Sequence, residues 1–518
     1  MKTSFLETYT PKILLVSNIL LALIYFYIIT FAFEQGNVVL FGLLIAGEVF
    51  HVWQVLTYIH TVWETEHTSK TNAHVYPKVD VFITVAGEPL EIIEETVRAA
   101  ALMDYPKFEV YILNDGLVAK KDNWKAVEKL AEKLGVTVIT RTKAGGAKAG
   151  NINNALNVTA SVSNPASLIT IFDADHVPHR DFLTKTVTYF IDSDVGFVQT
   201  PQYYKNYNLN SVTKSSWEQQ QLFFGPICKG KNRLNSATMC GTNMVIRRRA
   251  INEVGGMCVD SIAEDFVTGM FLHERGWKSV YVGEVLAEGL APEDFLSYYK
   301  QQFRWARGAL DVIFRYNLLF RTNLSFAQKV QYFSSASFYL SGLVVLMNAL
   351  LPVTFFFTGL VPIEVSSMLL ALIFIPYIFV TLYTLQRSSN FSFTFSALAF
   401  SMSSFGIHLH ALYSVITQRK AVFSITSKRG IKGNYIRLVI PHLIYIGLVS
   451  LGIAVAFARE GMSASLVNNT AWAIFNISIF IPFILASLPS RSRTGELKPA
   501  TVKNHDESTR ESMRISVN

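Results

Sequence analysis

Two aspartates, Asp173 and Asp175, are separated by one residue and follow the apolar segment Leu168–Phe172. A short apolar, β-branched segment predicts a buried strand, so both carboxylates are expected at a strand end. Two carboxylates at this spacing can hold one divalent cation, and Mg²⁺ often takes its remaining ligands from phosphate oxygens. The alternative for such a pair is an ordinary acidic turn at the surface.

A second pair of acids, Glu264 and Asp265, stands at the start of a predicted helix, Phe266–Glu274. Acidic residues at this position can simply stabilise the helix through its dipole. They can also act as a general base, which takes a proton from an attacking hydroxyl group. Both interpretations remain open for this pair on its own.

A third candidate site combines cations with an aromatic ring. Gln301, Arg304, Trp305 and Arg307 follow one another within seven residues. Arg304 and Arg307 can bind phosphate through charge-assisted hydrogen bonds, and an exposed Trp offers a flat face on which a sugar ring can stack. The alternative is a basic amphipathic helix that lies on a membrane surface.

Alternating strands and helices are predicted to position these residues. Such alternation is typical of a doubly wound α/β sheet, whose ligands bind beyond the carboxyl ends of the strands. Asp115, Asp173 and Asp175 all follow predicted strands. The predicted strands are Val79–Val85, Phe108–Leu113, Val136–Thr140 and Leu168–Phe172, and the predicted helices between them are Pro89–Met103 and Trp124–Leu134.

The composition excludes an ordinary cytosolic enzyme. Half of the 518 residues are hydrophobic and 16% are charged, whereas about a quarter of a soluble globular chain is charged. The same apolar content excludes extensive disorder. Three cysteines are too few for a disulfide scaffold, and the net charge of +8 is typical of a protein at a membrane surface or with anionic ligands.

Long apolar runs predict six membrane spans, since about 20 apolar residues cross the hydrocarbon core of a bilayer. The segment 391–416 contains many serines and two histidines and is predicted to lie along the interface. The basic loop that follows it, from Arg419 to Arg437, places that side in the cytosol. The predicted spans are Ile13–Phe33, Val38–Tyr58, Val330–Leu360, Met368–Leu385, Ile436–Phe457 and Ala471–Leu488.

These patterns divide the chain into four parts. Residues 1–60 form a transmembrane hairpin, and residues 61–325 form a cytosolic α/β domain with interfacial helices. Residues 326–489 form the second membrane region, which includes the loop 418–434. Residues 490–518 are a polar tail, which we expect to be cytosolic.

The motifs together resemble one known family. Asp173-Ala174-Asp175, Glu264-Asp265 and Gln301/Arg304/Trp305 resemble the D, D, D, QxxRW signature of the processive family 2 glycosyltransferases. Several further runs resemble the bacterial cellulose synthases in particular. These runs are 148–156 (KAGNINNAL), 199–202 (QTPQ), 240–243 (CGTN), 273–277 (HERGW) and 423–428 (FSITSK).

The resemblance implies a GT-A-like catalytic domain inserted between membrane helices, and it implies a role for individual residues. Asp265 would be the catalytic base, with Glu264 beside it, and Asp173 and Asp175 would bind Mg²⁺ or Mn²⁺. The sugar-nucleotide donor would bind Glu88, Asp115, Lys148, Asp173, Gln301 and Arg304. The acceptor sugar would contact Trp305, Cys240 and Gly241, and a gating loop would contain Phe423, Ile425, Thr426 and Lys428.

Three positions depart from the family pattern. The Tyr-Asn-Glu that usually follows the first strand is Ala86-Gly87-Glu88, so an aromatic residue near the nucleotide is missing. The usual Asp-Asp-Gly is Asn114-Asp115-Gly116, and the usual Thr-Glu-Asp is Ala263-Glu264-Asp265. At least one acid remains in each triplet, which keeps the expected chemistry intact.

The resemblance implies a processive β-glycan synthase in the inner or plasma membrane, with its catalytic domain in the cytosol. It would transfer glucose from UDP-glucose to a growing polysaccharide with inversion and would couple synthesis to export. Its partners would be the UDP-sugar, the polysaccharide, the lipid bilayer, and an accessory export subunit or a second copy of the chain; no nucleic acid is expected. The alternatives are a chitin- or hyaluronan-type synthase, another UDP-sugar-dependent membrane glycosyltransferase such as a glycolipid enzyme, and an inactive membrane scaffold.

Overall fold

The structure is a computed structural model that describes residues 8, 10–66, 71, 76–419, 430 and 433–489. The gating-loop residues Phe423, Ile425, Thr426 and Lys428 and the tail 490–518 lie outside the described residues. The described part consists of an α/β domain, residues 79–314, between two groups of apolar helices. We refer to this domain as the sheet domain.

The bounds of the elements are as follows. The helices are α1 (Lys12–Phe31), α2 (Val38–Val62), α3 (Leu90–Ala101), α4 (Trp124–Leu134), α5 (Ala147–Ala160), α6 (Phe182–Val187), α7 (Ser211–Leu222), α8 (Cys228–Arg233), α9 (Arg248–Glu253), α10 (Glu264–Glu274), α11 (Phe295–Phe314), α12 (Phe326–Ser337), α13 (Ser341–Thr358), α14 (Ser367–Ser388), α15 (Phe395–Ser403), α16 (Phe405–Ile416), α17 (Ile440–Glu460) and α18 (Ala464–Ser487). The strands are β1 (Glu34–Gln35), β2 (Val79–Val85), β3 (Phe108–Asn114), β4 (Thr137–Thr140), β5 (Leu168–Asp173), β6 (Val177–Pro178), β7 (Val195–Gln199), β8 (Tyr203–Tyr204), β9 (Met244–Arg247), β10 (Lys278–Tyr281), β11 (Ala287–Gly289) and β12 (Ile363–Glu364).

The main sheet has seven strands in the order β10-β7-β9-β5-β2-β3-β4. β9 is antiparallel to both of its neighbours, and all other neighbouring pairs are parallel. The four predicted strands are confirmed, with β4 starting at Thr137 rather than Val136. The sheet is mixed and larger than the sequence predicts, because β7, β9 and β10 are four- or five-residue strands without a long apolar run.

Apolar side chains cover both faces of this sheet, which explains why every residue of β2 is buried. On one face, Ile93 of α3 and Val127 of α4 pack against the strands. On the other face, Ile152 and Leu156 of α5 do the same. Helices on both sides of a mainly parallel sheet make the predicted doubly wound arrangement, and they direct the carboxyl ends of β2, β3 and β5 to a common edge.

Among the residues that the structure describes, seven helical segments are long and apolar enough to cross a membrane. Six of them correspond to the predicted spans. The seventh, Phe395–Ile416, is the segment predicted at the interface; it is divided at Ser404 into α15 and α16, and 56% of its apolar window is buried. Its position at the interface, and with it the arrangement of six spans, remains a prediction.

Two sets of contacts involve the apolar helices: one joins α2 to α12, and the other joins α16 to α11 of the sheet domain. Along α2 and α12, Thr61 donates to Gln331 (3.0 Å) and Ser334 donates to Thr57 (3.1 Å). Residue numbers increase along α12 where they decrease along α2, so the two helices are antiparallel. Between α11 and α16, the Arg307 guanidinium donates to Ser414 (3.2 Å), and the Phe303 ring lies 4.6 Å from the His410 ring.

A buried ion pair stabilises the sheet domain. Arg248 donates to the Asp80 carboxylate (2.5 Å), to the Ala166 carbonyl (2.6 Å) and to the Thr159 hydroxyl (3.0 Å). Burial raises the pKa of Asp80 above its ordinary value, although the Arg248 charge opposes that shift. Asp80 therefore depends on Arg248 to remain ionised in the interior.

We predict that Arg248→Met destabilises the protein by about 3–5 kcal/mol, because it leaves the Asp80 carboxylate buried without a partner. Pulse proteolysis in detergent would measure the change in the free energy of unfolding. The neighbouring Arg249→Met is the matched control: its side chain is exposed and pairs with Glu253 at the surface, so its effect should stay below about 1 kcal/mol. Equal losses for the two variants would contradict the assignment.

Candidate active site

A cavity of about 350 Å³ opens where the carboxyl ends of β2, β3 and β5 face α11. Its position is the one at which open α/β sheets bind their ligands. Gly241 lies beside the lining and contributes its carbonyl group to the contacts described below. The predicted residues that line the cavity are Glu88, Asp115, Lys148, Asp173, Asp175, Cys240, Glu264, Asp265, Gln301, Arg304 and Trp305.

The end of β5 brings Asp173, Asp175 and the neighbouring His176 together. One ligand atom of each residue lies within 4.8 Å of the others. Thr84 donates to the Asp173 carboxylate (3.2 Å), and the Leu290 N–H donates to Asp175 (3.2 Å). His176 is buried, and neither of its ring nitrogens has a hydrogen-bond partner among the described residues.

This arrangement fits a divalent cation. Carboxylate oxygens are ligands that Mg²⁺ and Mn²⁺ accept, and an imidazole nitrogen suits Mn²⁺ as well. The sequence analysis does not include His176 among the ligands. Its position directly after Asp175 was the available signal, and only the structure shows that its ring is buried beside both carboxylates.

Lys148, near the start of α5, connects two sides of the cavity. Its ammonium group donates to the Asp173 carboxylate (2.5 Å) and to the Gly241 carbonyl (2.7 Å). Burial alone would lower the pKa of Lys148, but the nearby carboxylates of Asp173, Glu264 and Asp265 raise it above the ordinary value. Burial would raise the pKa of Asp173, yet the Lys148 charge keeps it below its ordinary value. Both groups are therefore charged at neutral pH.

Asp115 follows β3 and is held by Arg141, which the sequence analysis missed. The Arg141 guanidinium makes a bidentate contact with the Asp115 carboxylate, and both distances are 2.7 Å. Arg141 also donates to the carbonyls of Gly145 and Ala147, just before and at the start of α5. Its position immediately after β4 was the only signal in the sequence. The pair fixes the Asp115 carboxylate at the edge of the cavity.

Glu264 and Asp265 form the first turn of α10. Burial raises the pKa of Glu264 to about 7, with a further contribution from the Asp265 charge. Burial also raises the pKa of Asp265, although Lys148 opposes the shift. Two carboxyl groups that interact in this way titrate as a pair, and together they retain a proton close to neutral pH.

Gly241 allows Asp265 to lie close to Lys148. The backbone of Gly241 has φ +75°, and a Cβ atom there would lie 2.7 Å from the Asp265 carboxylate. Any larger residue would therefore meet both a strained backbone conformation and the Asp265 side chain. This contact explains why the run 240–243 contains a glycine at this position.

α11 presents Gln301, Arg304 and Trp305 to the cavity. These residues share one helix face because neighbouring turns repeat every three to four residues. The next residue on that face is Gly308, where a Cβ atom would lie 2.3 Å from the Cβ of Ala263. Glycine therefore lets α11 approach the segment that carries Glu264 and Asp265.

Arg307 does not take part in this site. Its guanidinium is buried against the Asp311 carboxylate and donates to Ser414 of α16 (3.2 Å). The expectation that Arg307 binds phosphate is therefore wrong. Arg307 lies three positions after Arg304, about 60° around the helix, and its side chain turns away from the cavity toward the apolar helices.

Cys240 and Tyr204 also line the cavity. The Cys240 N–H donates to the side chain of Gln199 (2.9 Å), and Gln202 donates to the Cys240 carbonyl (3.0 Å). The two runs QTPQ and CGTN are thus bonded to each other. Tyr204 was missed by the sequence analysis; it is buried beside Gln301.

Comparisons with known proteins agree with this geometry. A model of the family "Glycosyltransferase like family 2" matches residues 77–308, and a model of the family "Cellulose synthase" matches residues 251–390. The chain is 28% identical over 475 residues to a cellulose synthase catalytic subunit (UDP-forming) of Pseudomonas fluorescens, covering 87% of this chain and 62% of that protein. It is 34% identical over 282 residues to the corresponding subunit of Xanthomonas axonopodis, covering 52% of this chain and 37% of that protein.

The chain spans less than two thirds of the length of these relatives. Among solved structures, a mannosyltransferase of Pyrobaculum calidifontis in complex with GDP-Man and Mn²⁺ has a TM-score of 0.52 at 18% identity. The alignment covers 74% of this chain and all of that one, and it supports the GT-A-like fold. Residues 77–308 thus match the family 2-like glycosyltransferases, most of the chain is similar to cellulose synthase catalytic subunits, and the GT-A-like fold lies between apolar helices of membrane-spanning length.

Proposed function

We propose that the protein is a processive β-glycan synthase, which transfers glucose from UDP-glucose to the end of a growing polysaccharide. The observation that carries this proposal is the single cavity that Asp115, Asp173, Asp265 and Arg304 line together. These residues come from four separate segments of the chain, so their assembly at the carboxyl edge of the sheet supports a common role. The names of the relatives favour a glucan over chitin or hyaluronan.

The donor would bind with its diphosphate between Lys148 and Arg304, both of which line the cavity. Asp173, Asp175 and His176 would hold a divalent cation, which when bound offsets the charge of the diphosphate. Gln301 would donate hydrogen bonds at the same end of the site. Glu88 and Asp115 would contact the nucleoside part of the donor.

Asp265 would act as the general base. It would take the proton of the attacking acceptor hydroxyl while the new oxygen–carbon bond forms at C1 and the bond from C1 to the phosphate oxygen breaks. UDP would leave with that electron pair, and attack from the opposite side would invert the configuration at C1. Burial favours this role, since a raised pKa makes a carboxylate a stronger base. Glu264 lies beside Asp265 and titrates together with it.

The acceptor sugar would stack on Trp305 and contact Cys240 and Gly241. The polymer would leave through the membrane helices that pack around α11, and Phe423, Ile425, Thr426 and Lys428 would close over the loaded donor. We place the protein in the inner or plasma membrane with its sheet domain in the cytosol. An accessory export subunit or a second copy of the chain would be its protein partners. An inactive scaffold is disfavoured by the intact acids and cations of the cavity.

We predict that EDTA abolishes incorporation of labelled glucose by membranes that contain the protein, and that Mg²⁺ or Mn²⁺ restores it. His176→Ala should raise the metal concentration for half-maximal transfer by at least about 10-fold. His179→Ala is the control, because His179 contacts Glu288 away from the cavity lining. Full activity in EDTA, or equal effects of the two variants, would contradict the metal site.

Asp265→Asn keeps the shape of the side chain and removes the proton acceptor. We predict that kcat falls by at least about 100-fold while the affinity for UDP changes little. Radiolabelled product formation and UDP titration would measure the two quantities. Glu253→Gln, an acid on α9 outside the cavity lining, should leave both unchanged. Normal turnover of Asp265→Asn would assign Asp265 a purely structural role.

The raised pKa of Glu264 leads to a pH prediction. A carboxyl with a raised pKa loses its proton only as the pH rises toward that value, so kcat/KM should increase up to about pH 7. Glu264→Gln removes one carboxylate from the pair and should move this rising limb to lower pH. Initial rates between pH 5 and 9, roughly the range in which the enzyme is expected to stay folded, would test it. If the rise of kcat/KM with pH occurs at the same pH in the variant, Glu264 is not part of the titrating pair.

A further inference from the structure

The segment between α11 and the start of α12 exposes large apolar side chains next to the catalytic helix. Phe320 is 85% exposed, Phe326 is 83% exposed and Leu319 is 55% exposed. Lys329 of α12 donates to the Leu319 carbonyl (3.2 Å), which places the start of α12 beside this turn. We refer to Leu319, Phe320 and Phe326 as the 319–326 patch.

Polar contacts hold this segment in a fixed shape. The Arg321 guanidinium donates to the Tyr316 carbonyl (3.0 Å) and to the Glu274 carboxylate (2.8 Å), and it lies over the Phe271 ring. Ser325 caps α12 through a reciprocal pair of hydrogen bonds with Gln328. The apolar side chains are therefore held outward by an ordered backbone. A cluster of this kind is unfavourable in water and marks an interaction surface.

The position of α12 identifies what this surface faces. Phe326 is the first residue of the candidate membrane span Phe326–Thr358. Gln331 lies beside Thr61, in the last turn of the candidate span α2. Phe326 lies five positions before Gln331, which is about 7 Å along a helix. Phe326 is therefore within about one and a half turns of the end of a span, at the depth of the lipid headgroups.

The charge of the segment agrees with a lipid surface. Residues 312–330 contain Arg315, Arg321 and Lys329 and no acidic residue. Basic side chains around exposed aromatic and aliphatic residues are typical of segments that bind anionic bilayers. A protein partner would require a complementary acidic and apolar surface, whereas the bilayer is already beside the patch.

We propose that the 319–326 patch inserts into the headgroup and acyl boundary of the leaflet that faces the sheet domain. Leu319, Phe320 and Phe326 enter the apolar layer, and Arg315 and Lys329 contact anionic headgroups. Arg321 connects this anchor to Glu274, at the end of the helix that begins with Glu264 and Asp265. The same turn directly follows α11. The anchor thus fixes the depth of both catalytic helices relative to the bilayer.

Depth-dependent fluorescence quenching tests this proposal independently of activity. The full chain with Phe320→Trp would be reconstituted in vesicles of phosphatidylcholine and phosphatidylglycerol, with and without lipids brominated near the top of the acyl chains. The emission added by Phe320→Trp, relative to the unsubstituted protein, should fall by at least about half in brominated vesicles and should resist aqueous iodide. Phe326→Trp should behave in the same way, which guards against a local effect of one substitution.

Leu102→Trp is the matched control. Leu102 is 61% exposed, but it lies at the end of α3, on the edge of the sheet opposite the cavity and α11. Its added emission should respond to iodide and not to brominated lipid. If the residue at 320 responds as the residue at 102 does, the patch faces water and the proposal is wrong. If neither quencher reaches 320 and 326, protein covers the patch, and the proposal of a lipid contact is equally overturned.

Discussion

The balance of buried charge around Lys148 is the constraint on which the rest of the site depends. The cavity lining contains six acidic residues and three basic ones, Arg141, Lys148 and Arg304. Arg141 already forms an ion pair with Asp115. The positive charge of Lys148 therefore offsets most of the negative charge of Asp173, Glu264 and Asp265. Buried carboxylates without compensation are unstable as ions, which is why the Glu264–Asp265 pair keeps a proton near neutral pH. A diphosphate would add further negative charge to this cavity, so the proposed binding of UDP-glucose requires a divalent cation for electrostatic reasons that are independent of any resemblance.

The backbone is shaped to bring these charges together. Gly241 removes the side chain that would collide with Asp265, and Gly308 lets α11 rest on Ala263. The departure from the family at Ala263 fits this contact, because Gly308 packs directly against the Cβ of that residue. The segments 240–243, 263–265 and 301–308, which lie apart in the sequence, thus meet through two close contacts rather than through long side chains. Short contacts between rigid elements position catalytic groups more accurately than flexible loops can.

Long, strongly patterned elements could be predicted from the sequence. β2 and α4 begin and end at the predicted residues, and the carboxyl ends of β3 and β5 place Asp115 and Asp173 as expected. Residues whose role depends on a neighbour could not be predicted in this way. Arg141 and Tyr204 carry no motif of their own, and His176 becomes a candidate ligand only through its burial. Arg307 shows the converse: it lies only about 60° around the helix from Arg304, which suggested a phosphate ligand, but its side chain pairs with the buried Asp311 and turns toward α16.

α11 makes the sheet domain and the membrane helices one functional unit. One face carries Gln301, Arg304 and Trp305 toward the cavity, and another carries Phe303 and Arg307 toward α16. The ion pair of Arg307 with Asp311 is buried at this second face, where replacing one partner would leave a charge without compensation. α11 would therefore fix the position of a bound donor relative to the apolar helices as well as to the sheet. In the proposed synthase, this geometry would keep the acceptor end, stacked on the same helix, at a constant distance from the proposed base on α10 while the rest of the polymer moves away.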